Sequence, residues 1–126
     1  MTTALELTPE EMATYRAAAR RRHEREQQEL AQREKRAWEM ARRTAVLLRE
    51  RFAATRVVVF GSLVCKDCFT PWSDVDIAAW GIRPEDTFRA IGAVMDITPE
   101  IEINLVDVNT CSASLLAVIE REGVEL

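Results

Sequence analysis

VVVFGSLVCKDCFTPWSDVDIAAWG, residues 57–81, holds two strand-like segments joined by an eleven-residue loop, Leu63 to Ser73. Val57, Val58, Val59 and Phe60 form a short apolar run, rich in β-branched side chains, of the kind that fits a covered strand. Gly61-Ser62 ends it with a residue free to adopt positive φ and a hydroxyl. In Asp74-Val75-Asp76-Ile77 the period-2 alternation of a strand puts both carboxylates on one face. Like charges side by side are unfavourable on a sheet unless something positive lies between them, and a divalent cation with oxygen ligands meets that need.

Gly61-Ser62, a spacer and then Asp74-x-Asp76 on a strand resembles the signature of the nucleotidyltransferase superfamily related to DNA polymerase β. The short chain is most similar to the minimal nucleotidyltransferase (MNT) branch, over about Val57 to Leu126. The resemblance implies transfer of a nucleoside monophosphate from an NTP, with ATP the expected donor, and release of pyrophosphate. It implies that Gly61 and Ser62 hold the triphosphate and that Asp74 and Asp76 hold magnesium in a two-metal arrangement. A third carboxylate is then expected from a later strand. The acceptor implied is often a protein, typically the HEPN-domain toxin paired with such antitoxins.

The sequence departs from that pattern at two places. Lys66 stands where the family commonly has glycine four residues after the serine; its ammonium could contact phosphates as a point charge. Asn104, in Ile103-Asn104-Leu105-Val106-Asp107, stands where the third carboxylate would be. Its amide offers a carbonyl oxygen to magnesium but carries no charge and cannot act as a base. Glu102 falls on the same face of the strand and either substitutes in part or is simply solvated. Ser73 is expected to join the nucleotide site and orient Asp74. These departures support a second reading, a catalytically weakened member that binds a HEPN-type partner or assembles through its N-terminal helix. A small-molecule nucleotidyltransferase, of the aminoglycoside type, would need a second domain to form its acceptor site.

Composition bounds the rest. The 126 residues suit a compact domain with an appendage, and no run of apolar residues is long enough to span a membrane. The N-terminus lacks the layout of a signal peptide. Three cysteines, with Cys65 and Cys68 in a lone CxxC, are read as free thiols in a reducing cytoplasm. Residues 1–56 carry 13 Lys and Arg against 9 Asp and Glu, whereas 57–126 carry 4 against 12. A domain that acidic is a poor surface for direct nucleic-acid binding. His23 is the single histidine, so neither a histidine-based metal site nor a Ser-His-Asp triad is expected.

Thr8-Pro9-Glu10-Glu11 predicts a helix start with a capping box, and neither Pro nor Gly recurs before Gly61. A helix from Pro9 to about Phe52 follows, either unbroken or folded near residues 24–29. Trp38, Ala41, Ala45, Leu48 and Phe52 supply its packing stripe. Residues 20–29 offer no stripe and read as a solvated face of Glu/Arg pairs or as an arm for self-association or a partner, with Met12 and Tyr15 as its contact.

Beyond the signature, Phe69, Pro71 and Trp72 are expected to pack the loop, and Trp80 to finish the second strand. Phe88, Ile91, Val94 and Met95 predict the buried stripe of a helix. A third strand is expected from Ile101 to Val106, then a helix over Ser112 to Glu122 stopped by Gly123 at C′. The fold class is α/β (α+β): a small mixed sheet of about three strands with packed helices. A helical extension, 1–53, precedes a nucleotidyltransferase-like domain, 54–126.

Overall fold

The computed structural model describes residues 7–126. The chain divides into two compact units, one ending at Gln32 and the other running Arg33–Leu126. Helix α1, Pro9–Phe52, is continuous, so the expected alternative of a break near residues 24–29 does not occur. Its Ala-, Arg-, Glu- and Gln-rich composition gives no position at which the backbone gains by leaving the helix.

In the first unit the capping box forms as expected. The Thr8 hydroxyl accepts from the Glu11 N–H at 3.1 Å, and the Thr8 N–H donates to Glu11 Oε2 at 3.2 Å. Tyr15 is 65% exposed, so no described side chain of this unit covers it.

The second unit is built on a four-stranded mixed sheet with the order β3-β2-β1-β4. Strand β1 is Arg56–Phe60, β2 Val75–Trp80, β3 Ile103–Asp107 and β4 Val124–Glu125. β1 pairs antiparallel with β2 and β4, and β2 pairs parallel with β3. A parallel pair needs a crossover, and helix α2, Thr87–Met95, supplies it. Helix α3, Ala113–Glu122, begins at Ser112, whose hydroxyl accepts from the Leu115 N–H at 3.2 Å.

Because β1 is central, it is buried on both faces. Val58, Phe60 and Ala78 pack with Ile119 of α3 on one side, flanked by Trp80, Val106 and Leu115. By alternation Val57, Val59, Ile77 and Ala79 face the other way, and all four are fully buried. Met40, Ala41 and Leu48 of α1 and Ala90 and Val94 of α2 are buried as well. Residues 33–52 of α1 therefore belong to the sheet's own core.

Several expectations are corrected. The sheet has a fourth strand, because the residues after Gly123 return along β1 and the Leu126 N–H donates to the Val57 carbonyl at 3.0 Å. The third strand begins at Ile103, not Ile101, and extends to Asp107. The buried stripe of α1 is Ala37, Met40, Ala41, Thr44, Ala45, Leu48 and Phe52. Small residues dominate it, which permits close approach, and Trp38 lies at its margin, half-buried beside the Arg42 guanidinium. Helix α2 buries Val94 as expected, but with Ala90, and leaves Ile91 half-buried and Phe88 and Met95 exposed. Gly123 is extended, not left-handed (φ −70°); a Cβ there would lie 2.3 Å from Val58 Cγ1. The glycine is there for close approach to β1.

Truncation separates these roles. Deleting residues up to Gln32 should leave the melting transition of 33–126 in place. Deleting through Phe52 removes the buried Met40, Leu48 and Phe52 at a cost of about 1.5–3 kcal/mol each, and the remainder should not fold. Thermal melting by circular dichroism of both truncations checks this.

Candidate nucleotide and metal site

The site is assembled by strand register. Phe60, the last residue of β1, lies opposite Asp76 of β2, and Asp76 lies opposite Asn104 of β3. Immediately after Phe60 the chain turns through Gly61 at φ +79° into a short 3-10 turn, Gly61–Leu63, with Leu63 buried beneath it. Glycine is required twice over at position 61. Its φ is left-handed, and a Cβ would stand 2.5 Å from Asp76 Oδ2. The Gly-Ser turn thus rests directly against the second aspartate.

Asp74 lies just before β2 and Asp76 within it, and the two carboxylates converge. One nitrogen, Asn104 Nδ2, donates to Asp74 Oδ2 and to Asp76 Oδ1, each at 3.3 Å. The expectation for Asn104 was a carbonyl oxygen turned toward the site; the structure turns the NH2 there instead. Two carboxylates facing one amide attract its donor end and repel its acceptor end, which fixes this orientation. Asp76 is half-buried, and its carboxyl is pushed above the ordinary aspartate pKa. Burial is the largest cause; the Asn104 hydrogen bond works against it, and the Asp74 charge adds to it.

The other expected site residues lie around this pair with different roles. Ser62 is half-buried in the turn beside Gly61. Glu102 is exposed, one residue before β3, and its backbone carbonyl accepts from the Val75 N–H at 2.9 Å. Among the described residues no three His, Cys, Asp or Glu side chains converge, so Glu102 does not complete a three-carboxylate cluster. Ser73 does not orient Asp74 through its hydroxyl. That oxygen accepts from the Thr70 N–H at 2.8 Å and lies 3.0 Å from the Thr70 hydroxyl, closing the end of the loop.

Lys66 is exposed at the tip of a turn closed by a disulfide between Cys65 and Cys68, correcting the free-thiol reading. Asp67, at φ +61°, folds the chain back so that the two cysteine Cα atoms are 5.4 Å apart. Cys111 is the free cysteine of the chain. Within the same loop Phe69 is buried as expected, but Trp72 is 84% exposed. The Thr70–Ser73 closure turns it away from the core.

Sequence reasoning missed Arg33. Its guanidinium donates to the carbonyl of Ser73 at 3.2 Å and to that of Glu100 at 3.3 Å, while its Nε is buried without a partner. It thereby holds the residue before Asp74. The signal was present: Arg33 precedes Ala37, Met40 and Thr44 at helical spacing, on the buried stripe.

No known protein family matches the sequence, and no curated protein matches it. Solved structures do resemble its fold. A toxin–antitoxin complex with AMP-PNP superposes with a TM-score of 0.57 at 19% identity, over 68% of this chain and 70% of that one. The fold is that of a minimal nucleotidyltransferase. A tri-AMPylated Shewanella oneidensis HEPN toxin in complex with MNT antitoxin gives 0.53 at 18% identity, over 71% and 70% of the two chains. The MntA-HepT toxin–antitoxin gives 0.52 at 17% identity, over 70% and 69%. In the minimal nucleotidyltransferase fold of this chain, no described helix is long and apolar enough to cross a membrane.

The raised pKa of Asp76 has a stability consequence with a definite sign. A folded-state pKa above the unfolded one means that the folded protein holds the proton more tightly. Its stabilising contribution is full below about pH 4 and is lost as pH rises through the folded value. Asp76→Asn should therefore raise the melting temperature in metal-free buffer at pH 7, and the gain should shrink toward pH 4. Melting curves of both proteins across that range, with chelator present, check it.

Proposed function

We propose that the chain binds ATP and transfers its nucleoside monophosphate to a protein acceptor, a HEPN-domain partner. The observation that carries this reading is the Gly61-Ser62 turn seated against the convergent pair Asp74 and Asp76. Solved complexes of the same fold, one with AMP-PNP and one with an AMPylated HEPN toxin, support it.

Asp74 and Asp76 would hold magnesium, which fits their donor chemistry: two carboxylates already face a single point, and magnesium commonly binds one or two carboxylates plus substrate phosphates. Bound there, it would neutralise the triphosphate and polarise the α-phosphate. Asn104 brings no charge, so the pair itself suits one cation better than two. Gly61, having no side chain, leaves the phosphates free to approach the backbone, with the Ser62 hydroxyl beside them and Lys66 as a charge at the loop tip. An acceptor hydroxyl oxygen forms the new bond to the α-phosphorus, the α–β bridge breaks, and pyrophosphate leaves. Asn104 has no site for the departing proton, which passes to Asp74, Asp76 or solvent.

A second reading is favoured by one observation, the Asn104 amide bridging both carboxylates. A bridge that satisfies the pair without metal suits a protein that neutralises its HEPN partner by binding alone.

Incubation with α-labelled ATP, magnesium and the HEPN partner separates the two. Transfer predicts label on the partner. Asp74→Asn and Asp76→Asn should each lower labelling by more than about tenfold, since even outer-shell changes at metal sites commonly cost that much. Asn104→Asp should raise it, and Glu102→Gln should change it little. Neutralisation of the partner with no label, unchanged in both aspartate variants, would establish the binding reading instead.

A further inference from the structure

Of the stripe that sequence assigns to the core of α2, Val94 is buried, Ile91 is half-buried, and Phe88 and Met95 lie on the outer face. Phe88, Ile91 and Met95 recur at i, i+3 and i+7, with Gly92 beside them at i+4. Phe88 is 87% and Met95 60% exposed, and a Cβ at Gly92 would meet nothing within 4 Å. An apolar stripe of this spacing, left uncovered, marks a surface made for a partner.

Next to it runs a groove of about 640 Å³ between α1 and α2, in which Val46, Leu47, Ala93 and Ile97 supply apolar lining. Gly92 and Arg89 continue this groove past Phe52 toward the stripe. The lining carries three arginines against two carboxylates, Glu50 and Asp96. Arg42, Arg43 and Arg51 line it, and none of them forms an ion pair among the described residues. These arginines all come from α1, whereas residues 57–126, which supply the other wall, are strongly acidic. Two of the groove's arginines stand near aromatic rings, Arg42 at 5.9 Å from Trp38 and Arg51 at 5.6 Å from Phe52, which helps to hold their charges in place.

We infer that this face of α1 and α2 is a docking surface for an amphipathic helix of another protein, apolar along one stripe and acidic on its flanks. The apolar stripe and open Gly92 accept the partner's apolar residues, and Arg42, Arg43 and Arg51 accept its carboxylates. Glu50 and Asp96 also line the groove, so discrete carboxylates on a peptide helix, which can be spaced to meet the arginines and miss these two, fit better than the unbroken charge of a phosphate backbone. The inference is independent of the transfer reaction.

The test uses the full chain and a synthetic helix of about 18 residues, roughly five turns, with Leu at i, i+3, i+4 and i+7 and Glu on both flanks. Its counterpart carries Lys in place of Glu. Fluorescence anisotropy should show the Glu helix bound at least about tenfold more tightly than the Lys helix. Phe88→Ser/Met95→Ser and Arg42→Glu/Arg43→Glu should each weaken binding of the Glu helix by about tenfold or more, with melting temperatures close to the parent's. Failure of the parent to bind, or equal binding of both helices, overturns the inference. So does stronger competition by duplex DNA than by unlabelled Glu helix. Self-association in light scattering that Phe88→Ser/Met95→Ser dissolves would overturn it as well, by making a second copy the occupant.

Discussion

Two carboxylates held together at the end of a strand are the constraint to which the neighbouring residues are fitted. Unit charges about 4 Å apart repel by roughly 4 kcal/mol at an effective dielectric near 20, a large sum for a small domain. Asn104 meets both carboxylates with a single amide donor, Gly61 gives Asp76 room by having no side chain, and Arg33 fixes the carbonyl just ahead of Asp74. These three residues lie far apart in sequence. What brings them to one place is the sheet, with β1 antiparallel and β3 parallel to the same central neighbour, β2.

The arrangement also says what the third strand does. A carboxylate at position 104 would add a third negative charge to the cluster and would make the apo site costlier to fold. The amide reverses that sign. The same substitution that lowers the charge available to a cation thus makes the site self-consistent without one. Stability and metal affinity pull in opposite directions at this one residue.

Much of this was legible in the sequence because it is local. A β-branched run, a Gly-Ser turn and alternating aspartates each report on a few neighbouring residues, and the capping box at Thr8 is complete within four. The misreadings share a different cause. Helical periodicity locates a stripe on α2 but cannot say beneath which margin the core lies: Val94 faces inward as expected, joined by Ala90, while Phe88 and Met95 stay exposed. On α1 the stripe was placed one position off at Trp38 for the same reason. Arg33 was lost in a charged run because residue type suggested solvent while position indicated burial. Asn104 lies beside both aspartates, and the direction of its amide depends on partners that only tertiary structure supplies. The pairing of Cys65 with Cys68 turns on a left-handed Asp67, a backbone state that an aspartate does not announce.

The loop between Ser62 and Asp74 is closed twice along its length, by the Cys65–Cys68 bond and by the Thr70–Ser73 hydrogen bonds, and Phe69 anchors it between them. Few freely rotating residues remain. A loop of eleven residues that had to organise around a ligand would lose on the order of 1 kcal/mol or more per residue in backbone entropy at the moment of binding. Here most of that loss is incurred during folding. The loop is preorganised, so a ligand meeting it would spend little of its interaction energy on ordering the protein.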